Sequence, residues 1–244
     1  MSHRRGGGHI FPPLEADGVT LRLRFADGAI VLRGEGSRHL REAVETGDCD
    51  LPADDLSLTV DDRSRTLRVP AHRYADLRDA LDAAGFDHED RVFDAHPLPL
   101  ATDYDLRDYQ SAALDAWEAN GCRGVLELPT GSGKTVVAVV AIATLGAPTL
   151  VVVPTVDLLI QWRREVETEF GVDVGQLGGG EQRVEDLTVA TYDSAYLRAD
   201  EVGDRFEFAV FDEVHHLGAE GYRDIARLIA APARLGLTAT FERP

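Results

Sequence analysis

From residue 103 onward, short and fully apolar runs alternate with longer stretches whose apolar residues recur at helical spacing. The apolar runs cover residues 124–128, 149–153, 187–191, 208–211 and 234–238. Runs of this length without a polar face predict strands that are buried on both sides. Their alternation with helical stretches predicts an α/β domain, a parallel sheet with helices on both faces. Such sheets bind ligands at the carboxyl ends of their strands, so the residues after each run are the candidates for chemistry.

The first hundred residues follow another pattern, in which apolar and polar residues alternate. Strand-like alternation occurs at residues 19–25, 28–33, 56–60 and 65–69. The pair Asp27-Gly28 between the first two runs is typical of a tight hairpin turn. Residues 71–84 repeat apolar positions at helical spacing and stop at Gly85. This pattern predicts a small α+β domain.

The change of pattern near residue 100 predicts a domain boundary. The first ten residues carry charge and glycine but no apolar run, so we expect a flexible tail rather than a secretory signal. The pairs His96-Pro97 and Leu98-Pro99 predict a stiff linker. We therefore divide the chain into a tail (1–10), the small α+β domain (11–95), a linker (96–102) and the α/β domain (103–244).

The composition argues against several classes of protein. No run approaches the ~20 consecutive apolar residues of a membrane span, so we expect no membrane contact. The two cysteines, Cys49 and Cys122, stand far apart in no metal-ligand spacing. This excludes a disulfide framework and a four-cysteine iron–sulfur cluster within the chain. We expect a cytoplasmic protein with reduced thiols.

The net charge of −18 argues against binding of nucleic acid, because Lys and Arg side chains supply the positive charge that binds phosphates. Of the 25 basic residues, however, all except Lys134 are arginine. A chain so poor in Lys and rich in Asp is typical of adaptation to high salt, where surface acid keeps a protein in solution. We therefore predict a halophilic protein whose nucleic-acid contacts come from local arginines and backbone amides.

The clearest candidate for chemistry is a glycine-rich loop after the run at 124–128. Residues 129–135 are PTGSGKT, and an apolar helical stretch follows. Glycines let the backbone curl so that its amides point at phosphate oxygens, and the helix start adds the positive end of its dipole. Lys134 would reach the β- and γ-phosphates, and Thr135 would hold Mg²⁺. The other loop positions that we assign to nucleotide binding are Pro129, Thr130, Gly131, Ser132 and Gly133.

This loop departs from the usual phosphate-loop pattern at one position, where Leu128 replaces a glycine. A glycine turn with an incidental lysine is therefore the alternative interpretation. Against it, Lys134 is the only lysine in the chain. It also occupies the position at which a phosphate loop uses the flexible point charge of a lysine rather than the planar guanidinium of an arginine. We predict a nucleotide site.

An acidic pair follows the apolar run at 208–211. Asp212 at the end of this strand would coordinate Mg²⁺ near the phosphate loop, and Glu213 would orient and deprotonate the attacking water. With 43 acidic residues in the chain, a solvated corner is the alternative. His215 and His216 come next, but no third ligand stands at metal spacing, so we do not expect a histidine metal site.

Taken together, residues 103–243 resemble the superfamily 2 helicases, most closely the XPB-type DNA repair helicases. The strings that carry the resemblance, in motif order, are LRDYQ at 106–110, PTGSGKT at 129–135, VPT at 153–155 with Leu158, Gln161 and Trp162, GGG at 178–180, ATYDS at 190–194, DEVHH at 212–216 and LTAT at 237–240. DEVHH is similar to the XPB form of the DEAH box. The small domain before the motor resembles the family's damage-recognition domain in size and position.

The resemblance implies a role for each motif. Gln110 would read the adenine edge with Arg107 nearby, and ATP with Mg²⁺ would be the cofactors. The positions expected along the nucleic-acid backbone are Pro154, Thr155, Gly179 and Thr191. The positions expected to couple ATP to lobe movement are His215, Thr238, Thr240 and Arg243. Arg243 fits the first position of a strand-separating Arg-Glu-Asp element, but Pro244 stands where its Glu is expected.

The family implies an ATP-dependent DNA helicase or translocase in DNA repair, of which this sequence covers the first half. Its partners would be DNA, a second RecA-like lobe that supplies arginine fingers, and a repair nuclease or a transcription and repair complex. Alone, the chain is expected to bind ATP weakly and hydrolyse it very slowly. The alternatives are a non-catalytic nucleotide- or DNA-binding module and a restriction-type duplex translocase. An RNA helicase is disfavoured by DEVHH.

Overall fold

The computed structural model describes residues 21–46, 51–61, 63–64, 66–94, 96–215 and 222–239. Within these residues the chain forms two sheets, one on each side of residue 100. None of the helices described has the length and apolar character required to cross a membrane.

The first sheet belongs to the small α+β domain. The elements of this domain are β1 (Leu21–Ala26), β2 (Ala29–Arg33), α1 (Glu35–Thr46), β3 (Thr59–Asp61), β4 (Thr66–Pro70), a 3-10 turn (Ala71–Arg73), α2 (Tyr74–Ala83) and β5 (His88–Asp90). The strand order is β3-β4-β2-β1-β5, with β5 parallel to β1 and the other pairs antiparallel. The predicted hairpin is confirmed: Asp27 and Gly28 take φ values of 51° and 69°, the left-handed pair that a two-residue hairpin turn requires.

Two parts of this domain differ from the sequence prediction. Helix α1 and strand β5 were not predicted. The run predicted as a strand over 56–60 begins its strand only at Thr59. The reason is that Leu56 is buried in a turn that ends at Ser57, whose φ of 51° is incompatible with a strand. Its apolar character reflects burial under a loop rather than a place in the sheet.

The second sheet forms the α/β domain. Its strands are β6 (Arg123–Glu127), β7 (Thr149–Val153), β8 (Gly175–Gly178), β9 (Glu181–Arg183), β10 (Leu187–Thr191), β11 (Phe208–Asp212) and β12 (Ala233–Thr238). Its helices are α3 (Asp108–Ala119), α4 (Lys134–Leu145), α5 (Val156–Phe170), α6 (Tyr192–Leu197), α7 (Ala199–Val202) and α8 (Tyr222–Leu228). The strand order is β6-β12-β11-β7-β10-β8-β9.

This sheet confirms the predicted α/β, RecA-like fold. Each of the five apolar runs forms a strand within one residue of the predicted bounds, and all five strands are parallel. Successive residues of β11 point to opposite faces: Phe208 and Val210 join one buried apolar cluster, and Ala209 and Phe211 join another. The sheet adds two strands that were not predicted: β8, which is parallel to β10, and β9, which is antiparallel and lies at the edge.

The two domains contact each other directly. The guanidinium of Arg123, at the start of β6, donates to the carboxylate of Asp76 at 3.1 Å and to the carbonyl of His72 at 3.0 Å. Ala230, after α8, is buried in the apolar core of the small domain. Leu98 of the segment between the domains donates its N–H to the carbonyl of Gly146 at 2.7 Å.

The contact between the domains predicts that Gly203 does not tolerate a larger side chain. A Cβ at Gly203 would overlap the ring of Phe25 from the small domain and lie 2.7 Å from the carbonyl oxygen of Leu228. Gly203→Ala should therefore lower the free energy of unfolding by roughly 1–3 kcal/mol, the usual cost of overpacking. Gly124→Ala is the matched control, because its Cβ meets Trp117 at an ordinary 3.6 Å. Chemical denaturation measures both variants, and equal losses would contradict the domain contact.

Candidate active site

The glycine-rich loop joins β6 to the first residue of α4, Lys134. Gly131 and Gly133 take φ values of 77° and 83°, a region that side chains with a Cβ rarely enter. The N–H of Ser132 donates to the carbonyl of Pro129 at 3.1 Å, which closes the loop. Thr130 is exposed, and Thr135 is the second residue of the helix. The strand, loop and helix that nucleotide binding requires are therefore in place.

Side chains of helix α3 form hydrogen bonds with the backbone of this loop. Gln110 is only 3% exposed, and its amide nitrogen donates to the carbonyls of Ser132 at 2.8 Å and Gly133 at 3.4 Å. Its amide oxygen accepts the N–H of Arg107 at 2.8 Å. The hydroxyl of Tyr109 donates to the same Ser132 carbonyl at 2.7 Å. Gln110 thus braces the phosphate loop, a role that the sequence did not predict, and its contact with a base stays a prediction.

One atom of the loop lacks a partner that a phosphate would supply. The Oγ of Ser132 is buried and has no hydrogen-bond partner among the described residues. Buried hydroxyls are normally hydrogen-bonded, so this one indicates a missing partner in the loop. The left-handed glycines and the start of α4 supply the amides for the same anion. These residues fit a nucleotide phosphate group.

Asp212 is the last residue of β11, and its side chain is held by two donors. The indole N–H of Trp162 donates to Oδ2 at 2.8 Å, and the backbone N–H of Glu213 donates to Oδ1 at 2.9 Å. Burial raises the pKa of this carboxyl above its usual value, while both hydrogen bonds and the charge of Lys134 act to lower it. The binding of Mg²⁺ by Asp212 stays a prediction.

Glu213 turns the chain away from the strand. Its φ of 50° is a left-handed conformation that costs a residue with a Cβ roughly 1 kcal/mol or more. The turn places the Glu213 carboxylate 3.5 Å from Nδ1 of His215. The same His215 nitrogen lies 3.3 Å from Oγ1 of Thr238 at the end of β12. Backbone strain of this kind is common at functional sites.

Thr238 joins three of the predicted motifs. It is fully buried, and its carbonyl accepts the N–H of Leu128, which precedes the phosphate loop, at 3.0 Å. The predicted coupling residues His215 and Thr238 are therefore in contact. Thr240 and Arg243 lie outside the described residues, as does His216.

The residues predicted along the nucleic acid follow the other strands of the same edge. Pro154 and Thr155 come after β7, Gly179 comes after β8, and Thr191 ends β10. The hydroxyl of Thr155 accepts the N–H of Leu158 at 3.3 Å and caps α5. That of Thr191, 8% exposed, caps α6. Both threonines thus have a structural role, and their contact with nucleic acid stays a prediction.

The hydrogen bond from Trp162 to Asp212 predicts that replacing Trp162 shifts the pH dependence of metal binding. If Asp212 holds Mg²⁺ as predicted, only its ionised carboxylate does so, and Mg²⁺-dependent nucleotide binding should be lost as the pH falls through the Asp212 pKa, which burial already raises. Trp162→Phe removes a donor that lowers this pKa, so the loss should begin at higher pH. It should also cost roughly 1–3 kcal/mol of stability through the unsatisfied carboxylate.

Titration of a fluorescent nucleotide with Mg²⁺ and with EDTA, at a series of pH values, isolates the metal-dependent part of binding. Trp117→Phe is the matched control, because this indole is also buried and donates to a backbone carbonyl of Arg234. An unchanged pH profile for Trp162→Phe would mean that the indole only fills space.

Comparison with known families matches both domains. Residues 103–243 match the family model described as "Type III restriction enzyme, res subunit". Residues 23–92 match the model of the "Xeroderma pigmentosum group B helicase damage recognition domain".

Individual relatives carry related names. The chain is 45% identical over 183 residues to a "DNA 3'-5' translocase XPB2" of Sulfurisphaera tokodaii, an alignment that covers 75% of this chain and 42% of that protein. It is 42% identical over 180 residues to a "Putative DNA 3'-5' helicase Rad25" of Halobacterium salinarum, covering 70% of this chain and 30% of that protein. The chain thus spans less than half the length of these relatives.

Among solved structures, the UvsW helicase of bacteriophage T4 is similar to this chain with a TM-score of 0.48 and 16% identity. The alignment covers 91% of this chain and 92% of that chain.

Proposed function

Because this chain belongs to the superfamily 2 helicases, and within them to the XPB type, we propose that it is the ATP-binding part of a DNA translocase or helicase that acts in DNA repair. The observation that carries the proposal is that the glycine-rich loop before Lys134 comes after β6 and that Asp212 ends β11, both at the carboxyl edge of the same sheet. This is where α/β proteins bind nucleotides.

In this proposal the amides of the phosphate loop and the Lys134 ammonium bind the nucleotide phosphates. Thr135 and Asp212 hold Mg²⁺, which usually keeps only one or two protein carboxylates beside substrate phosphates. A Mg²⁺ ion held by these residues would supply positive charge opposite the charge that develops on the phosphates during hydrolysis. Glu213 orients the attacking water and accepts its proton. His215, which contacts Thr238, couples changes in the ATP site to that residue.

DNA would lie along the other half of the same edge, at Pro154, Thr155, Gly179 and Thr191. These four residues are uncharged and offer backbone groups and two threonine hydroxyls, and contacts of that kind position the phosphate backbone without a large positive charge. The proposal therefore agrees with a net charge of −18. On this view the acidic surface is an adaptation to high salt.

A second candidate is a duplex translocase of the restriction type, favoured by the family model that matches residues 103–243. The match of residues 23–92 to the XPB damage-recognition model favours the repair function instead. DNA-stimulated ATPase activity on undamaged duplex and on damaged or forked DNA distinguishes the two, because a restriction-type motor needs only duplex.

The nucleotide site is tested by binding of a fluorescent, non-hydrolysable ATP analogue with Mg²⁺. Lys134→Ala should weaken binding roughly 10- to 100-fold, as expected for loss of a hydrogen bond to a charged group. Arg164→Ala, which removes an exposed cation from α5, is the control and should bind as the wild type does. Equal affinity of Lys134→Ala and the control would refute the nucleotide site.

A further inference from the structure

A buried glutamine is bonded to the hairpin turn that contains Gly179. Strands β8 and β9 pair with Gly178 opposite Glu181, so Gly179 and Gly180 form a two-residue turn, which we call the β8–β9 turn. The φ values of these two glycines, 62° and 92°, are the left-handed pair that such a turn requires. Gln176 of β8 is 7% exposed, and its amide nitrogen donates to the carbonyl of Gly178 at 2.9 Å. The glutamine therefore holds the residue from which the chain enters the turn.

The β8–β9 turn packs against both of the other loops that we assign to nucleic acid. A Cβ on Gly179 would lie 2.9 Å from Cγ1 of Val156, the residue that follows Thr155. A Cβ on Gly178 would lie 3.0 Å from Cγ2 of Thr191. The backbone thus fits closely between the starts of α5 and α6. The positions assigned to nucleic acid on these three loops are therefore neighbours, and a shift of the turn would separate them.

An arginine of α5 orients the Gln176 amide. Nη1 of Arg163 donates to the amide oxygen of Gln176 at 2.9 Å. The same guanidinium forms ion pairs with the carboxylates of Glu167 at 2.7 Å and Glu181 at 3.1 Å. A guanidinium only donates hydrogen bonds, so the amide must turn its oxygen toward Arg163 and its nitrogen toward the Gly178 carbonyl.

The ion pairs of Arg163 suit a support for the turn rather than a contact with phosphate. Its side chain is only 28% exposed, and two carboxylates already neutralise its charge. Together with Arg183 it also balances the charge of Glu181, which directly follows the turn and would otherwise repel a phosphate. Arg163 comes directly after Trp162 on α5, so one helix contacts both the Asp212 carboxylate and the amide that holds the turn.

We propose that Gln176, oriented by Arg163, is a positioning residue for nucleic-acid binding. Its hydrogen bond holds the β8–β9 turn between the starts of α5 and α6, so that the three loops contact one stretch of phosphate backbone together. This inference rests on the proposed function, which takes DNA as the partner. Without the bond, DNA would have to order the turn on binding, and the ordering of a loop costs affinity.

The test is fluorescence anisotropy of a labelled forked DNA, which offers duplex and single strands, with the whole chain over a series of salt concentrations. Gln176→Met keeps the length of the side chain and removes both hydrogen bonds, so DNA should bind roughly 5- to 50-fold more weakly. The slope of log affinity against log salt should stay as in the wild type, because the variant removes no cation. The affinity for a non-hydrolysable ATP analogue should also stay as in the wild type. Thr149→Val is the matched control, because its buried hydroxyl donates to the carbonyl of Ala147 at the opposite, amino end of the parallel strands.

A second variant separates positioning from direct contact. Arg163→Gln/Glu181→Gln removes the ion pair and leaves the net charge of the chain unchanged. It should weaken DNA binding without changing the salt slope, because Gln176 loses the group that orients it. A slope smaller by about 0.9 would show that Arg163 itself binds a phosphate, and would overturn its role as a support. This double variant changes only partly exposed side chains, so it carries the test even where Gln176→Met lowers stability.

The outcomes distinguish this inference from the proposed function. If the wild type binds DNA and Gln176→Met binds it equally well, the inference is overturned and the proposed function stands. A wild type that binds no DNA would refute the proposed DNA surface, and the inference with it. If Gln176→Met loses affinity for the ATP analogue as well as for DNA, the glutamine supports the domain as a whole, which also overturns a positioning role at the turn.

Discussion

Joining this chain to a second RecA-like domain is expected to raise its rate of ATP hydrolysis by roughly 10³- to 10⁵-fold, the contribution of arginine fingers in related phosphoryl transfer. The described residues contain one phosphate loop and one acidic pair on a single parallel sheet. Among these residues Lys134 is the cation that we propose for the phosphates, and the family resemblance implies that a second lobe would supply the arginine fingers. We therefore propose that the 244 residues alone bind ATP but turn it over very slowly.

The measurement compares single-turnover ATP hydrolysis by the chain with that of a fusion, in which the part of the Halobacterium salinarum relative beyond the aligned region follows residue 244. DNA should stimulate the fusion and leave the chain alone unchanged. A fusion that carries Lys134→Ala is the control for contaminating ATPase. Fast, DNA-stimulated turnover by residues 1–244 alone would contradict this prediction.

The residues proposed to bind ATP and those proposed to bind nucleic acid occupy two halves of the carboxyl edge of the α/β sheet. The phosphate loop comes after β6, Thr238 ends β12 and Asp212 ends β11, and these three strands are neighbours in the sheet. The positions assigned to nucleic acid follow β7, β10 and β8, which are the next three strands. On the proposed function, ATP would therefore bind at one end of this edge and DNA along the other.

Two side-chain hydrogen bonds connect Asp212 to helices that begin at the positions assigned to nucleic acid. Thr155 caps α5, and Trp162 of the same helix donates to the Asp212 carboxylate. Thr191 caps α6, and the hydroxyl of Tyr192, the first residue of that helix, donates to the Asp212 carbonyl at 3.0 Å. A displacement of either helix start by DNA would therefore act on the orientation of the proposed Mg²⁺ ligand.

Much of this fold was predictable because buried parallel strands are apolar throughout. The runs at 149–153 and 187–191 became strands with the predicted bounds, since every one of their side chains is buried. The hairpin at Asp27-Gly28 was predictable for another reason: few residues accept a positive φ, so the pair marks the turn directly.

The missed elements lack such local signals. Helix α1 is largely polar, and its Leu40 packs into a core that includes Leu67 and Val69 of β4, more than 25 residues further along the chain. Strand β8, GQLG, has two glycines and little strand propensity, and its pairing with β10 holds it. Likewise, Trp162 stands 50 residues from Asp212, so only the fold shows that its indole binds that carboxylate.

Glu213→Gln should lower the rate of ATP hydrolysis by the two-lobe fusion roughly 10²- to 10⁴-fold, the usual contribution of a general base. The amide has nearly the same shape and keeps the backbone N–H that donates to Asp212 at 2.9 Å, so the strained turn and the metal ligand should persist. Nucleotide affinity should therefore stay near that of the wild type. A variant that binds ATP but does not hydrolyse it is the signature of a lost base rather than of a lost site.

Glu118→Gln is the matched control, because it removes one carboxylate from an exposed position on α3. Single-turnover hydrolysis and analogue binding, measured on both variants, separate the chemical step from affinity. If Glu213→Gln hydrolysed ATP as fast as the control, another group would have to accept the proton of the water. If it lost nucleotide affinity instead, the Glu213 carboxylate would be needed to hold the left-handed turn through His215, and its role would be structural.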